Sequence, residues 1–335
     1  MTNRSQESVW EIGPRSLPVP VDLSVEVREI LLNTQVPNIE MTRKFFSILQ
    51  TREQWEAFIK SQNAIATPFV KTFAENLSVT IEKKQIQGIT VHQLTPEEVD
   101  PNHKNHLFIF LRSGAFVLGR GETQPEAVLI AALSRITVLS VDFRMPPGHP
   151  FPAGLDDVVT VYKHLLKDHS AKSIALGGTS SGGNLALAST HKLIQLGLEV
   201  PGALFAGTPW VDLTKTGDSF YVNEGIDRIL LTYDGLLHGA ALLYGGGHNL
   251  TDPLISPVYG NFRGFPPTYL ISGTRDLLLS ATVRTHRKLR AARVEADLHV
   301  YEGLSHAEYT LLAGSQESNE HFAELKIFLL KHLQR

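Results

Sequence analysis

Two hydrophobic rhythms divide the chain. Before Asn76, apolar positions recur at helical spacing, predicting helices over Asp22–Leu32, Met41–Leu49 and Gln54–Phe73. Thr51-Arg52-Glu53-Gln54 reads as a capping box, with Gln three residues after Thr. Trp55, Phe58 and Ile59 then share one helix face. After Asn76 the period shortens. Leu77–Glu82 and Gly88–Gln93 alternate as antiparallel strands do, and His106–Leu111 is the near-continuous apolar run of a strand buried on both faces. Similar runs follow at Ile136–Val141, Ser173–Leu176, Gly202–Ala206, Thr268–Ile271 and Ala296–Tyr301. Between them lie helical patterns at Thr123–Ser134, Leu155–Lys167, Gly182–Leu196, Ala281–Ala292 and Glu320–Leu333.

Strand–helix alternation with short connections predicts an α/β fold, a mostly parallel central sheet with helices on both faces. One stretch interrupts it. Between Trp210 and Gly264 no good strand is seen, and Thr232–Leu243 looks helical between Gly-rich and Pro-rich flanks. This stretch is expected to pack beside the N-terminal helices as a helical cap over one end of the sheet. The predicted organisation is an N-terminal cap segment at 1–75, an α/β domain at 76–207 and 265–335, and a second cap segment at 208–264. Ligand crevices of open α/β sheets lie at the strand carboxyl ends.

Composition removes several function classes. The 335 residues carry 31 Lys+Arg against 34 Asp+Glu, a net charge of -3, so there is no electrostatic case for a nucleic-acid partner. With 42% hydrophobic residues, the chain can bury a sizeable core. Cys 0 excludes disulfides, thiolate nucleophiles and cysteine-ligated metal sites. Met1–Leu23 holds charges and prolines where a signal peptide would be apolar, and no run approaches about 18 apolar residues. A cytoplasmic location without stable membrane insertion is expected.

The strongest chemical signal is Gly178-Thr179-Ser180-Ser181-Gly182-Gly183, placed between an apolar strand and a helix. Gly-x-Ser-x-Gly in that context is a nucleophile elbow, where a Cβ at either glycine would clash with neighbouring backbone. A serine hydroxyl needs a base, and the hydrolase order is serine, acid, histidine. Asp276 follows the strand Thr268–Ile271, and His306 follows Ala296–Tyr301. There are 14 histidines, but only His306 lies between the last strand and the last helix. The oxyanion would take one donor from Ser181 and the others from the loop Arg112–Gly119.

Together these motifs resemble the hormone-sensitive-lipase-like family of α/β-hydrolases, which includes bacterial short-chain carboxylesterases, acetyl esterases and monoterpene lactone hydrolases. The family's oxyanion motif maps onto Arg112–Ala115, its elbow onto Gly178–Gly183, and its Tyr-Arg-Leu-Ala-Pro-Glu-His-Pro segment onto Phe143–Pro150. Two further segments match at Thr208–Thr214 and Asp252–Pro257. The resemblance spans about residues 77–335. It implies that Ser180 attacks an acyl carbonyl, that His306 accepts its proton and later activates water, and that Asp276 orients the imidazole. It implies no metal and no organic cofactor. It assigns the oxyanion amides to Gly114, Ala115 and Ser181, and Phe116, Trp210 and Tyr309 adjoin matched motifs as candidate pocket walls.

Four departures stand out, one of them Gly148 in place of the family's Glu. Arg112-Ser113 replaces the family's His-Gly, so Arg112→His is expected to retain or raise the rate. Thr179 replaces the usual acidic residue, removing a charge beside the nucleophile. Leu277-Leu278-Leu279-Ser280 replaces Pro-Leu-x-Asp, leaving one candidate acid in that loop.

The reading is a serine carboxylic ester hydrolase for short-chain acyl esters or lactones, a small-molecule partner. The alternatives are a non-catalytic receptor on the same fold, disfavoured by His306, and an acyltransferase to an alcohol. Pairing as a homodimer rests on analogy alone. The basic run Arg284–Arg293 reads as a solvated helix face, His103 and His106 as a pair lacking a third metal ligand, and Gly245–Gly247 as a helix stop.

Overall fold

The computed structural model describes Gly13 and residues 16–35, 38–47 and 49–334. Three N-terminal helices come first: α1 (Val25–Asn33), α2 (Ile39–Ser47) and α3 (Arg52–Asn76). The Thr51–Gln54 capping box opens α3 as the sequence predicts, with both reciprocal bonds present. The sheet follows, with β1 (Val79–Ile86), β2 (Ile89–Pro96), β3 (Leu107–Leu111), β4 (Thr137–Val141), β5 (Ile174–Thr179), β6 (Ala203–Gly207), β7 (Thr268–Gly273) and β8 (Ala296–Tyr301). Helices α4 (Pro125–Ser134), α5 (Ala153–Leu165) and α6 (Ser181–Gln195) connect β3 through β6.

The eight strands lie in the order β1-β2-β4-β3-β5-β6-β7-β8. β1 and β2 form an antiparallel hairpin in register Ile86↔Ile89. Its two turn residues, Gln87 and Gly88, have φ of 51 and 79, the pair of positive φ values that a tight hairpin needs. β2 runs antiparallel to β4, and the remaining pairs are parallel. Strand pleating sorts the core. Phe108 and Phe110 of β3 join α4 on one face, while Ile109 and Leu111 join α5 and α6 on the other.

Between β6 and β7 the described residues hold no strand. Instead α7 (Ser219–Val222) and α8 (His238–Gly245) appear, with a kinked turn at Tyr233–Leu237. The single helix expected over Thr232–Leu243 is therefore broken. Gly235 has non-helical φ -94 and ψ -123, and it lies against Thr42 and Phe46 of α2. Packing between the two cap segments overrides the local apolar pattern. The same contact recurs where Trp55 of α3 abuts Gly239. The chain ends with α9 (Leu279–Ala291), the short α10 (Glu308–Leu311) and α11 (Gln316–His332). No helix among the described residues is long and apolar enough to cross a membrane.

Candidate active site

The elbow shows why glycine recurs around Ser180. A Cβ on Gly178 or on Gly182 would collide with the same backbone oxygen, that of Leu111 in β3. Ser180 itself is held at φ 59 and ψ -119, outside the regions a serine prefers. Two backbone bonds secure it: Ser180 N donates to Gly207 O at 2.8 Å, and Trp210 N donates to Ser180 O at 3.1 Å. Ser180 stands at the mouth of α6, so the Ser181 amide in the first turn has no intrahelical acceptor.

Asp276 follows β7 and is fully buried. Its Oδ1 accepts from Leu278 N at 2.9 Å and lies 3.1 Å from His306 Nδ1, while its Oδ2 accepts from Ser272 Oγ at 2.6 Å. His306 is 4% exposed, as is Ser180. Burial opposes the charged imidazole. The charge and hydrogen bond of Asp276, with the more distant Asp227 and Glu126, outweigh it and raise the His306 pKa.

The oxyanion loop is wound left-handed. Gly114, Ala115 and Phe116 have φ of 107, 53 and 64 in succession. A Cβ on Gly114 would meet Leu118 O at 2.8 Å, so only glycine fits there. Ser113 N donates to Gln124 Oε1 at 2.9 Å, which leaves the Gly114 and Ala115 amides as the next donors along the loop. The loop is braced from outside. Gly119 N donates to Asn63 of α3 at 2.8 Å, and Gly121 N donates to Asp142 at 3.0 Å. Arg112 is 0% exposed. Its Nη1 donates to Gly119 O, its Nη2 lies 3.0 Å from Asp142 Oδ1, and its guanidinium sits over Phe143. Burial lowers the Arg112 pKa, opposed by Asp142.

The three candidate pocket residues do not come together. Phe116 lies 5.8 Å from Trp210, ring centre to ring centre, and stacks on Tyr244 of α8 at 3.7 Å. Tyr309 belongs to the core on the opposite sheet face, with Phe205 and Phe322. Its hydroxyl lies 2.6 Å from Thr179 Oγ1, which also hydrogen-bonds Glu126 of α4. Adjacency to His306 in sequence does not say on which side of the sheet a residue lands.

Three contributors were missed by the sequence reading. Tyr244 lies one residue beyond the predicted helix Thr232–Leu243 and within α8. Glu126 is a lone acid in the apolar helix PEAVLIAALS, which was a readable signal. Burial pushes its carboxyl up to about 8, against the Thr179 hydrogen bond and the His306 charge. Asp227 lies in the irregular stretch before α8 and had no signal. It too is fully buried, and its pKa is raised by burial and by Asp276. Away from the site, His103 and His106 pair through their Nδ1 atoms at 2.9 Å, and Arg284 of the basic run pairs with Asp212.

Comparison with known proteins agrees with this architecture. A family model described as alpha/beta hydrolase fold matches residues 108–310. An esterase of Acinetobacter venetianus is 29% identical over 266 residues, covering 77% of this chain and 84% of that protein. The crystal structure of an esterase superposes with TM-score 0.94 at 49% identity, covering 97% of this chain and 99% of the other. The structure of an esterase from the bacterial hormone-sensitive lipase family gives TM-score 0.72 at 26% identity, covering 93% of this chain and 99% of the other.

Proposed function

The chain belongs to the hormone-sensitive-lipase-like family of α/β-hydrolases, and from that premise we propose that it is a serine carboxylesterase acting on short-chain acyl esters or lactones. Ser180 attacks the acyl carbonyl, His306 takes the hydroxyl proton and passes it to the leaving oxygen, and the acyl-enzyme forms. Water then attacks under the same base, and Ser180 is released. Asp276 keeps the Nδ1 proton and orients the ring. The Gly114, Ala115 and Ser181 amides receive the charge that develops on the carbonyl oxygen.

The observation that carries this reading is the 3.1 Å contact of Asp276 with His306 in a buried site that also raises the imidazole pKa. A receptor that had given up chemistry would have no need of that pair. Preference for small acyl groups is supported by the deep burial of Ser180 and by the packing of Phe116, on the oxyanion loop, against Trp210 and Tyr244. In this reading residues 1–75 and 208–264 cap a catalytic domain of 76–207 and 265–335, and the enzyme works in the cytoplasm.

The test is hydrolysis of p-nitrophenyl esters from acetate to laurate by the wild type and Ser180→Ala, followed by lactones. Turnover that peaks at short chains and disappears in the variant is the expected result. A folded wild type that neither turns over these esters nor is labelled at Ser180 by a fluorophosphonate would return weight to the receptor.

A further inference from the structure

The acid loop and the histidine loop are both gripped by one short stretch of the second cap segment. Asn223 Nδ2 donates to Asp276 O at 2.8 Å and to Thr274 O at 3.2 Å. Asp227 Oδ2 accepts from Leu277 N, next to Asp276, at 2.8 Å, while its Oδ1 accepts from Ile229 N and Leu230 N at 2.9 and 3.0 Å. Arg228 N donates to Ser305 Oγ at 3.2 Å, and its side chain pairs with Glu308, whose other oxygen accepts from Ser305 N at 2.7 Å. Ser305 and Glu308 flank His306. Asp227 is 0% exposed, a costly place for a carboxyl group, and its three backbone N–H donors offset part of that cost.

We propose that Asp227 is a positioning residue for the Asp276–His306 pair, fixing the acid loop through Leu277 and adding a second negative charge to the buried site of the imidazole. The proposal rests on the serine-hydrolase reading above. His306 is faced by Asp276 from the β7 loop, by Asp227 from the cap and by Glu126 from α4. Asp227 is faced by Asp276 and His306, and it also acts on Glu308, the partner of Arg228. With Asp227 in place, proton transfer from Ser180 builds an imidazolium that contacts Asp276 directly and is favoured at longer range by Asp227, held behind Asp276 at Leu277 N. Without it, the cation forms less readily and Leu277 loses its anchor.

The test is the pH dependence of kcat/KM in the full-length Asp227→Asn and Asp227→Ser variants. Asn can keep the turn by accepting from Ile229 and Leu230, but it sets an N–H against the Leu277 N–H. Ser removes the charge without that opposition, so it carries the test if Asn does not fold. Losing one nearby opposite charge should move the acidic limb down by about one pH unit. We expect kcat to fall about tenfold with KM within about twofold, and Asp227→Glu to bring the limb back toward the wild-type position. An unmoved limb in a folded variant overturns the proposal, even if the plateau rate falls, because that is what a merely structural residue would give. Failure of the underlying reading looks different: wild type would then resist fluorophosphonate labelling, or Ser180→Ala would keep its activity.

Discussion

Replacing Arg112 tests the oxyanion loop most directly. From sequence alone, Arg112→His is a return to the family's residue that should retain or raise the rate. The contacts of Arg112 predict the opposite. The guanidinium spans from Gly119 O to Asp142 while packing over Phe143, and an imidazole is too short to do all three. Arg112→Ala leaves Asp142 without its buried partner, a change that costs about 3–5 kcal/mol when both charges are inaccessible. The Asp142 side chain keeps 14% exposure, so water relieves part of that, and about 3 kcal/mol is the expected loss. Against a typical stability of about 5–15 kcal/mol the variant should still fold. The kinetic effect follows from the φ values of Gly114, Ala115 and Phe116, which a slack loop would not hold. Losing one oxyanion donor costs on the order of 10²–10³ in kcat. The loss should fall on kcat with KM little changed, since the oxyanion exists only beyond the ground state. Arg112→His should fall in the same direction, and Arg112→Lys between it and wild type, because a point charge cannot replace the fork. Urea unfolding and p-nitrophenyl butyrate kinetics measure the two halves. Stability within about 0.5 kcal/mol and kcat within about threefold for Arg112→Ala would refute the brace.

The base must be neutral to act, and His306 is raised above its ordinary value, so the acidic limb of kcat/KM should have its midpoint above about 6.5; a midpoint below that contradicts the assignment. The same raised value means that the protonated His306–Asp276 pair stabilises the fold below the ordinary histidine range, a contribution lost as pH rises through the folded pKa. Glu126, pushed up to about 8, holds a proton that the unfolded chain releases, so stability should fall as pH rises from the ordinary carboxylate range to about 8. Glu126→Gln should flatten that slope in thermal melts at pH 5 and 8, and equal slopes would show that the carboxyl is not buried as described. Thr179→Asp, the family's residue, would bury a second carboxyl group against Glu126 where one proton-holding acid already sits. It should destabilise the wild type and be partly rescued in a Glu126→Gln background, read as a double-mutant cycle in urea. Gly207→Ala drives a Cβ into the Tyr309 hydroxyl and Thr179, so it should lower both melting temperature and activity; a variant like wild type in both would mean that this network is loosely packed.

What was legible in the sequence was what backbone geometry dictates locally. Gly178 and Gly182 must be glycine because one carbonyl oxygen presses on both, and Asp276 and His306 follow their strands because chain order sets which loops reach the crevice. Side-chain partnerships across the fold were not legible, and the charges show why. The sequence records two losses: an acid missing before the nucleophile and an acid missing after Asp276. The structure supplies a carboxyl near each place from another element, Glu126 of α4 against Thr179 and Asp227 of the cap against Leu277. Asp227 is the one whose charge favours the imidazolium, whereas Glu126, pushed up to about 8, keeps its proton and fills its place by hydrogen bonding to Thr179. A buried imidazole that must become a cation needs negative charge nearby, but Coulomb attraction depends on distance and not on which strand or helix delivers the charge. A motif position can therefore lose its acid while the site keeps it. It follows that restoring an acid at Thr179 alone should harm this protein, because its place is already taken.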